Sequence, residues 1–413
     1  MARNSLASTP AGVAAKADRM LSVQSTRMRS GLLAVVAGST VANLYYSQPI
    51  LASLGQSLSV SASCAGSVAV ATLVGNGLAQ LLLVPLADKV ERRRLTQVLL
   101  MVQAAAMVLM ASAHRLSFAA ASSLFIGLGG AAAMVIVPYA AAISDPAERG
   151  RSTGTVMAGV LLGILFSRSI SGFISSMASW RMTYLTGAGL ALVAAVLLGR
   201  FPALRAQGRP PRYRHLLVSV TSIALHDRLV QRRMAIGALG FVSFNVLWTG
   251  LTLLLSAAPY HYSPVTIGLF GVVGLVGALT AKNAGTWFDQ GHGPTVSRLG
   301  WAATGAAWLL LLAAGQGHLL GLSVVVAGIA LLDAGMQAQH ITNQSTLLAA
   351  RPDHTARVTT AYMSANVVAG AAGSALASAL YPAFGWIVLV AMGIVCSIAA
   401  LCTLPRTTEA GPR

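Results

Sequence analysis

The 413 residues are short of charge: only 9% are Asp, Glu, Lys or Arg, and only 10 residues are acidic. Soluble domains carry about 25% charged residues, so a water-soluble fold is excluded. Lysine is scarcer still, with Lys16, Lys89 and Lys282 the only three, none of them preceded by Gly. A phosphate-binding loop requires a Gly-Lys pair, so nothing points to ATP as the energy source. Cys64, Cys396 and Cys402 lack metal-ligand spacing, and two of them share one apolar run. Neither a disulfide framework nor a metal site is expected, and no cofactor is implied. The segment GRSTG at 150–154 has the letters of a serine-hydrolase elbow but no preceding strand. Without that strand the motif has no chemistry, and an enzyme is not expected. The first 30 residues are polar and basic with no apolar h-region, so a cleaved signal peptide is not expected either.

What the chain has is apolar length. Hydrophobic residues make up 55% of it. Twelve apolar runs lie between residues 31 and 404. Each holds roughly 20 residues, enough to cross about 30 Å of hydrocarbon as a helix. The fold class is an all-α polytopic membrane protein with twelve transmembrane helices, and its partner is the lipid bilayer. The formal charge of +18 would suggest nucleic acid in a soluble chain, so its placement decides its meaning. With both termini cytoplasmic, 25 of the 28 basic residues fall on inner segments. Arg115 and Arg181 fall outside, and Arg168 falls in mid-span. This is the positive-inside bias, so the charge reports orientation and no nucleic-acid partner is implied.

The sequence repeats itself. Asn43 pairs with Asn245 at an offset of 202 and Asp88 with Asp289 at 201. Pro146, Arg151, Thr153, Met157 and Trp180 pair with residues 206 further on. Small residues every fourth position in the fifth run, Gly159, Gly163, Ser167 and Ser171, map onto Ala365, Ala369, Gly373 and Ala377 of the eleventh. Such stripes let helix backbones approach closely in lipid. The expected organisation is a cytoplasmic tail over 1–30, a six-helix bundle over 31–201, a linker over 202–232, a second bundle over 233–404 and a tail over 405–413. Within the linker, RHLLVSVTSIALHDRLV reads either as an amphipathic helix on lipid headgroups or as a solvated connection.

At VPLADKVERRRL, residues 84–95, the chain resembles the signature loop of the major facilitator superfamily, with Asp88 and Arg92 to Arg94 matching and Val84 and Glu91 where glycines are usual. The second copy, GTWFDQGHG, keeps Asp289 without the arginines. With the twelve runs, the duplication and the DPAERGR loop, the resemblance covers residues 31–404. Within the superfamily it is similar to the bacterial efflux branch of drug:proton antiporters and sugar-efflux-like permeases, although Ser123 sits where that branch has an intramembrane arginine. The resemblance implies two pseudo-symmetric bundles, a monomer in the bacterial cytoplasmic (inner) membrane, and alternating access powered by the proton gradient. It makes Asp88, Arg92, Arg93 and Asp289 a cytoplasmic gate. A carboxylate at the end of span two can meet the positive end of span eleven near Arg357 while pairing with Arg92.

Charge at membrane depth singles out Arg168, Asp333 and the titratable His340. A mid-bilayer arginine costs at least about 2.5 kcal/mol, so it should face a partner or water. Arg168 stands about ten residues, roughly 15 Å, from the end of its run, beyond easy snorkelling. It reads as a structural brace or as part of a cavity or gate. Asp333, Gln337 and His340 share a helix face, and an Arg168–Asp333 ion pair is possible if their helices adjoin. Protonating Asp333 would break such a pair, which would couple the chain to protons; a fixed packing pair is the other reading. Tyr45, Gln48, Tyr139, Asn245, Trp248 and Gln337 are expected to line a cavity for a small organic substrate. The expected function is proton-coupled efflux of a drug, sugar or metabolite. A transporter-shaped receptor without turnover, and an uncoupled facilitator or importer, are the alternatives.

Overall fold

In the computed structural model, residues 27–145, 148–203, 213–316 and 319–404 are described. Pro146, both terminal tails and residues 204–212 of the linker lie outside them. Among the described residues every regular element is helical. Span one is a helix over 27–42, a turn, a 3-10 turn Gln48–Ile50 and a short helix Leu51–Ser57. Pro49 sits at the start of that 3-10 turn, where its missing N–H is harmless.

Spans two to six are Ala62–Leu82, Arg92–Ala111, Leu116–Gly130 with Ala132–Ile143, Arg149–Met177 and Trp180–Leu198. A helix Tyr213–His226 follows, then span seven, Arg228–Ser256. Span eight is Pro264–Val273 with Leu275–Trp287, span nine Gly293–Leu311 and span ten Leu319–Ala350.

Among the described residues nine segments are long and apolar enough to cross a membrane, and two of them, Pro264–Ala314 and Pro352–Thr403, run for 51 and 52 residues. A straight rod of that length would reach roughly 75 Å, more than two bilayer cores. Each folds back at a glycine that tolerates positive φ, Gly291 at 85° and Gly385 at 70°. Thr355–Thr403 is therefore spans eleven and twelve, and with span one the crossings number twelve.

The duplication is visible in the packing. In the first half Gly159 and Gly163 lay their backbones on Ala34 and Gly38 of span one, so closely that a Cβ at either glycine would overlap a carbonyl. In the second half a Cβ at Gly373 of span eleven would lie 2.6 Å from the Val242 carbonyl of span seven. Ser61 and Ser263, 202 residues apart, cap spans two and eight. At the start of span six Arg181 donates to the Ala113 carbonyl beyond span three, and at the start of span twelve Trp386 donates to Leu311 of span nine. Replacing Gly163 with Val is expected to lower the apparent melting temperature in detergent sharply, because backbone cannot move aside. Gly189→Ala, where nothing lies within 4 Å, should leave it unchanged or slightly raised.

The halves meet through spans two and eleven and through spans five and eight. Leu73 packs with Val367 and Ala371. Ser169 Oγ donates to the Gly268 carbonyl at 2.9 Å, and Gly172 abuts Pro264. These last contacts sit at the membrane face opposite the linker, called here the far face. Past Gly274, the Leu275–Trp287 segment of span eight packs on span ten.

At the linker face the short helix buries Leu216 and Val220 and exposes Val218 and Leu225. It leads into Asp227, whose carboxylate caps span seven by accepting from the Leu229 and Val230 N–H groups. Arg351, at the end of span ten, donates from Nε to Asp227 Oδ2 at 2.6 Å. Partial burial pushes the Asp227 carboxyl up, but the Arg351 bond and charge and the two backbone N–H groups outweigh it and hold it below the usual range. Stability from a depressed carboxylate is present above its unfolded pKa and lost as pH falls through the folded value. The Asp227 contribution should therefore be constant from about pH 5 upward and vanish only below about pH 4. Thermal melts of the wild type against Asp227→Asn across that range would check it.

Candidate functional site

Arg168 is 3% exposed, so it does not snorkel. The cause is span five itself: the glycine stripe presses it onto span one, and Ser171 Oγ donates to the Tyr46 carbonyl, turning Arg168 into the junction between halves. There its Nε donates to Gln48 Oε1 of span one at 2.7 Å. Its guanidinium carbon stands 3.8 Å from the centroid of the Trp248 ring of span seven, with Phe244 at 5.7 Å and Tyr45 at 5.3 Å. Desolvated cation–π contacts contribute about 2 kcal/mol and a charged hydrogen bond about 1.5–3 kcal/mol. Together they exceed the roughly 2.5–3.5 kcal/mol insertion penalty by a small margin. The first half thus supplies the cation, with its own Tyr45 beside it, and the second half the Trp248 and Phe244 faces that receive it.

Asp333 is buried, and its charge reaches Arg168. The adjoining helices on which an ion pair was conditional are not found. Span eight lies between them: Gly271 faces Arg168, and a Cβ at Gly274 would lie 2.6 Å from Asp333 Oδ2. Among the described residues no carboxylate oxygen comes within 4.0 Å of the guanidinium. The Trp248 N–H lies beside Asp333, yet Trp248 Nε1, Asp333 Oδ1 and Arg168 Nη2 are all buried without a well-formed hydrogen bond to protein. Two donors and an acceptor are therefore left poised at the meeting point of the halves.

Of the other expected cavity residues, Gln337 packs its Cγ toward Gly277 below Asp333. His340 turns away, stacking on Tyr362 at 5.6 Å and meeting Phe241 edge-on. Asn245 packs against Gly370 inside the second half. Tyr139 is a correction: it is fully buried in the core of the first half, and its hydroxyl donates to the Pro202 carbonyl at 2.7 Å. An interior tyrosine with a partner for its hydroxyl is a brace and lines no cleft. Phe244 was missed, as were the span-eight glycines. The stretch GLFGVVGLVG, with Gly268, Gly271, Gly274 and Gly277 at every third position, was the available signal.

In the signature loop the Asp88 side chain lies outside what is described, and its backbone closes the 3-10 turn Val84–Asp88. Arg93 binds Glu91 at 2.9 Å and the Phe201 carbonyl at 2.9 Å, closing the end of span six. Arg92 reaches the Pro138 carbonyl at 3.4 Å. Asp289 is exposed. Ser152 of GRSTG is helical and shares a hydrogen bond with Ser30 Oγ at 2.7 Å, so the segment is packing. Among the described residues no cluster of three or more His, Cys, Asp or Glu could hold a metal.

Comparison with known proteins fits this architecture. Residues 33–374 match the family described as Major Facilitator Superfamily. The uncharacterized transporter YgaY of Escherichia coli K12 is 35% identical over 356 residues, 86% of this chain and 89% of that one. Among solved structures, the nucleoside transporter NupG superposes with a TM-score of 0.71 at 14% identity, covering 91% of this chain and 100% of its own. The human organic anion transporter MFSD10 gives 0.67 at 17%, covering 91% and 99%. At these identities the two structures speak for the fold alone.

Proposed function

Because the chain belongs to the Major Facilitator Superfamily, and is thus a multi-pass membrane transporter and not an enzyme, we propose that it is a proton-coupled exporter of a small organic molecule. The linker face is read as cytoplasmic on the strength of the basic residues collected there. Alternating access is the family's mode of secondary transport: the halves rock about a central site.

One observation carries the coupling. A buried arginine of one half is held by Trp248 and Phe244 of the other half, with a buried carboxylate across the span-eight glycines from it and not bonded to it. When Asp333 is ionised, the buried site is electrically balanced and the far face stays shut. When Asp333 is protonated, Arg168 is an uncompensated cation, and hydration by opening becomes favourable. Export is supported by the similarity of IGLGGAAAM in span four, residues 126–134, to the tail of the efflux branch's glycine-rich motif. The carrier is expected to act as a monomer, with no cofactor beyond the proton gradient and no nucleic-acid partner.

Expression in a bacterial strain lacking its own efflux pumps, followed by a growth-inhibition screen, tests the reading. Raised resistance to at least one compound, abolished by a protonophore, is the expected result. Ligand binding in detergent with no flux in proteoliposomes would instead identify a receptor without turnover.

A further inference from the structure

Spans one and five, and spans seven and eleven, form two copies of one seam, and the copies differ in chemistry. In the first, Val156 and Val160 are buried in apolar packing. The residues 206 further on are Tyr362 and Asn366, equally buried. Gly31 likewise corresponds at 202 to Arg233, which is 8% exposed near the start of span seven. Around Arg233 the second copy carries a connected polar set, beside the apolar cluster in which Val230, Leu347 and Val358 pack on Tyr362. Its Nη1 donates to Asn343 Oδ1 at 3.0 Å, and Asn343 Nδ2 donates to Gln339 Oε1 at 2.9 Å. His340 Nδ1 lies 3.2 Å from the Tyr362 hydroxyl.

The set is not saturated. Arg233 Nε, both amide atoms of Asn366 and Asn245 Oδ1 are buried without a hydrogen-bond partner in the protein. The Tyr362 hydroxyl is near enough to Asn366 and Asn343 to feel both, yet Asn366 forms no well-directed bond. Native proteins pair or hydrate nearly all such groups, and buried polar atoms that protein leaves unserved are where internal water sits. The position of the seam gives that water a use. Along span ten Gln337 follows Asp333 by roughly 6 Å of helical rise and His340 follows by roughly 4.5 Å more, and because His340 is turned to Tyr362 the steps between them would be filled by water. The series ends at Arg233 on the linker face.

We infer that the seam between spans seven and eleven is a hydrated proton route joining the linker face to Asp333 through His340 and Tyr362, distinct from the cleft between the halves. It rests on the proton-coupled reading above. A tyrosine hydroxyl both donates and accepts, and an imidazole can take a proton on one nitrogen and release it from the other. Asn366 has no transferable proton, and its place is to orient water between them. The groups facing Asp333 are the Arg168 guanidinium, Tyr45 behind it, the Trp248 N–H and the span-eight glycines. His340 faces Tyr362 and Phe241. Span nine presents Gly300 and Thr304 to span ten, and neither titrates.

The first half supplies its own control, because Asn366→Val writes into the second copy the residue that Val160 already is in the first. The probe is the proton. In the purified full chain in proteoliposomes, an infrared carboxyl band that disappears in Asp333→Asn reports protonation of Asp333 after a pH jump. Asn366→Val is expected to slow the appearance of that band at least tenfold with its amplitude unchanged. Tyr362→Phe removes only a hydroxyl and carries the same expectation should Asn366→Val fail to insert. Radiolytic hydroxyl labelling, which marks side chains touching bound water, should modify Tyr362 and spare Tyr184, a tyrosine equally buried in the first half. A band that rises at the wild-type rate in both variants, or an unlabelled Tyr362, overturns the route and leaves the coupling reading standing. Absence of any Asp333 band between acid and alkaline pH overturns both.

Discussion

Arg168→Leu should uncouple the two halves. Their closure at the far face contains a cation from span five seated on Trp248 of span seven, at 3.8 Å, and a charged bond to Gln48 at 2.7 Å. Against about 2 kcal/mol from the ring and about 2 kcal/mol from the hydrogen bond stands a desolvation penalty of at least about 2.5 kcal/mol. The net latch is on the order of 1.5 kcal/mol, which converts to roughly a tenfold change in population. The variant should therefore populate the far-face-open form about tenfold more than the wild type. Arg168→Lys should not rescue it, because a compact ammonium cannot lie flat on the indole while reaching Gln48. Spin labels at Met177 and Phe384, exposed residues of opposite halves near the far face, would read the population as a distance distribution. An unchanged distribution in Arg168→Leu would remove the latch from the mechanism.

Asp333→Asn carries the larger functional effect. The amide cannot ionise, so the site is held permanently in the electrical state that protonation creates, with Arg168 buried and uncompensated. The protein should still fold and insert, since among the described residues Asp333 forms no ion pair within 4.0 Å and the amide nearly matches its shape. Flux driven by a pH gradient should fall by on the order of a hundredfold or more, because the variant has no proton-dependent step at this site. Exchange of unlabelled for labelled cargo without a gradient should persist. Full gradient-driven accumulation in Asp333→Asn would place coupling elsewhere.

The sequence made some of this legible for clear reasons. A lone charge in an apolar run is conspicuous because lipid penalises it, so Arg168 and Asp333 stood out, as did the twelve crossings and the 202–206 duplication. What could not be read was which face of another helix a side chain would meet. Arg168 was expected to face a partner or water, with an Asp333 ion pair conditional on adjoining helices; it lies on an aromatic ring, because span eight's glycines insert between spans five and ten. Those glycines were visible as a period of three, but a small-residue stripe does not say what it admits. Tyr139 was misplaced because an interior tyrosine and a cavity tyrosine have the same letters around them. The contrast of Val156 and Val160 with Tyr362 and Asn366 was present at the known offset, yet only their shared burial gives it meaning.

The central claim, that protonation of Asp333 decides which face is shut, can be tested without knowing the cargo. With the native cysteines replaced and the Met177 and Phe384 labels in place, the far-face distance would be measured in lipid at about pH 8 and about pH 5, in the wild type and in Asp333→Asn. The account predicts short distances at alkaline pH and a shift to long ones at acid pH in the wild type, with Asp333→Asn long at both. A wild-type distribution indifferent to pH, or an Asp333→Asn variant that still follows it, would contradict the account.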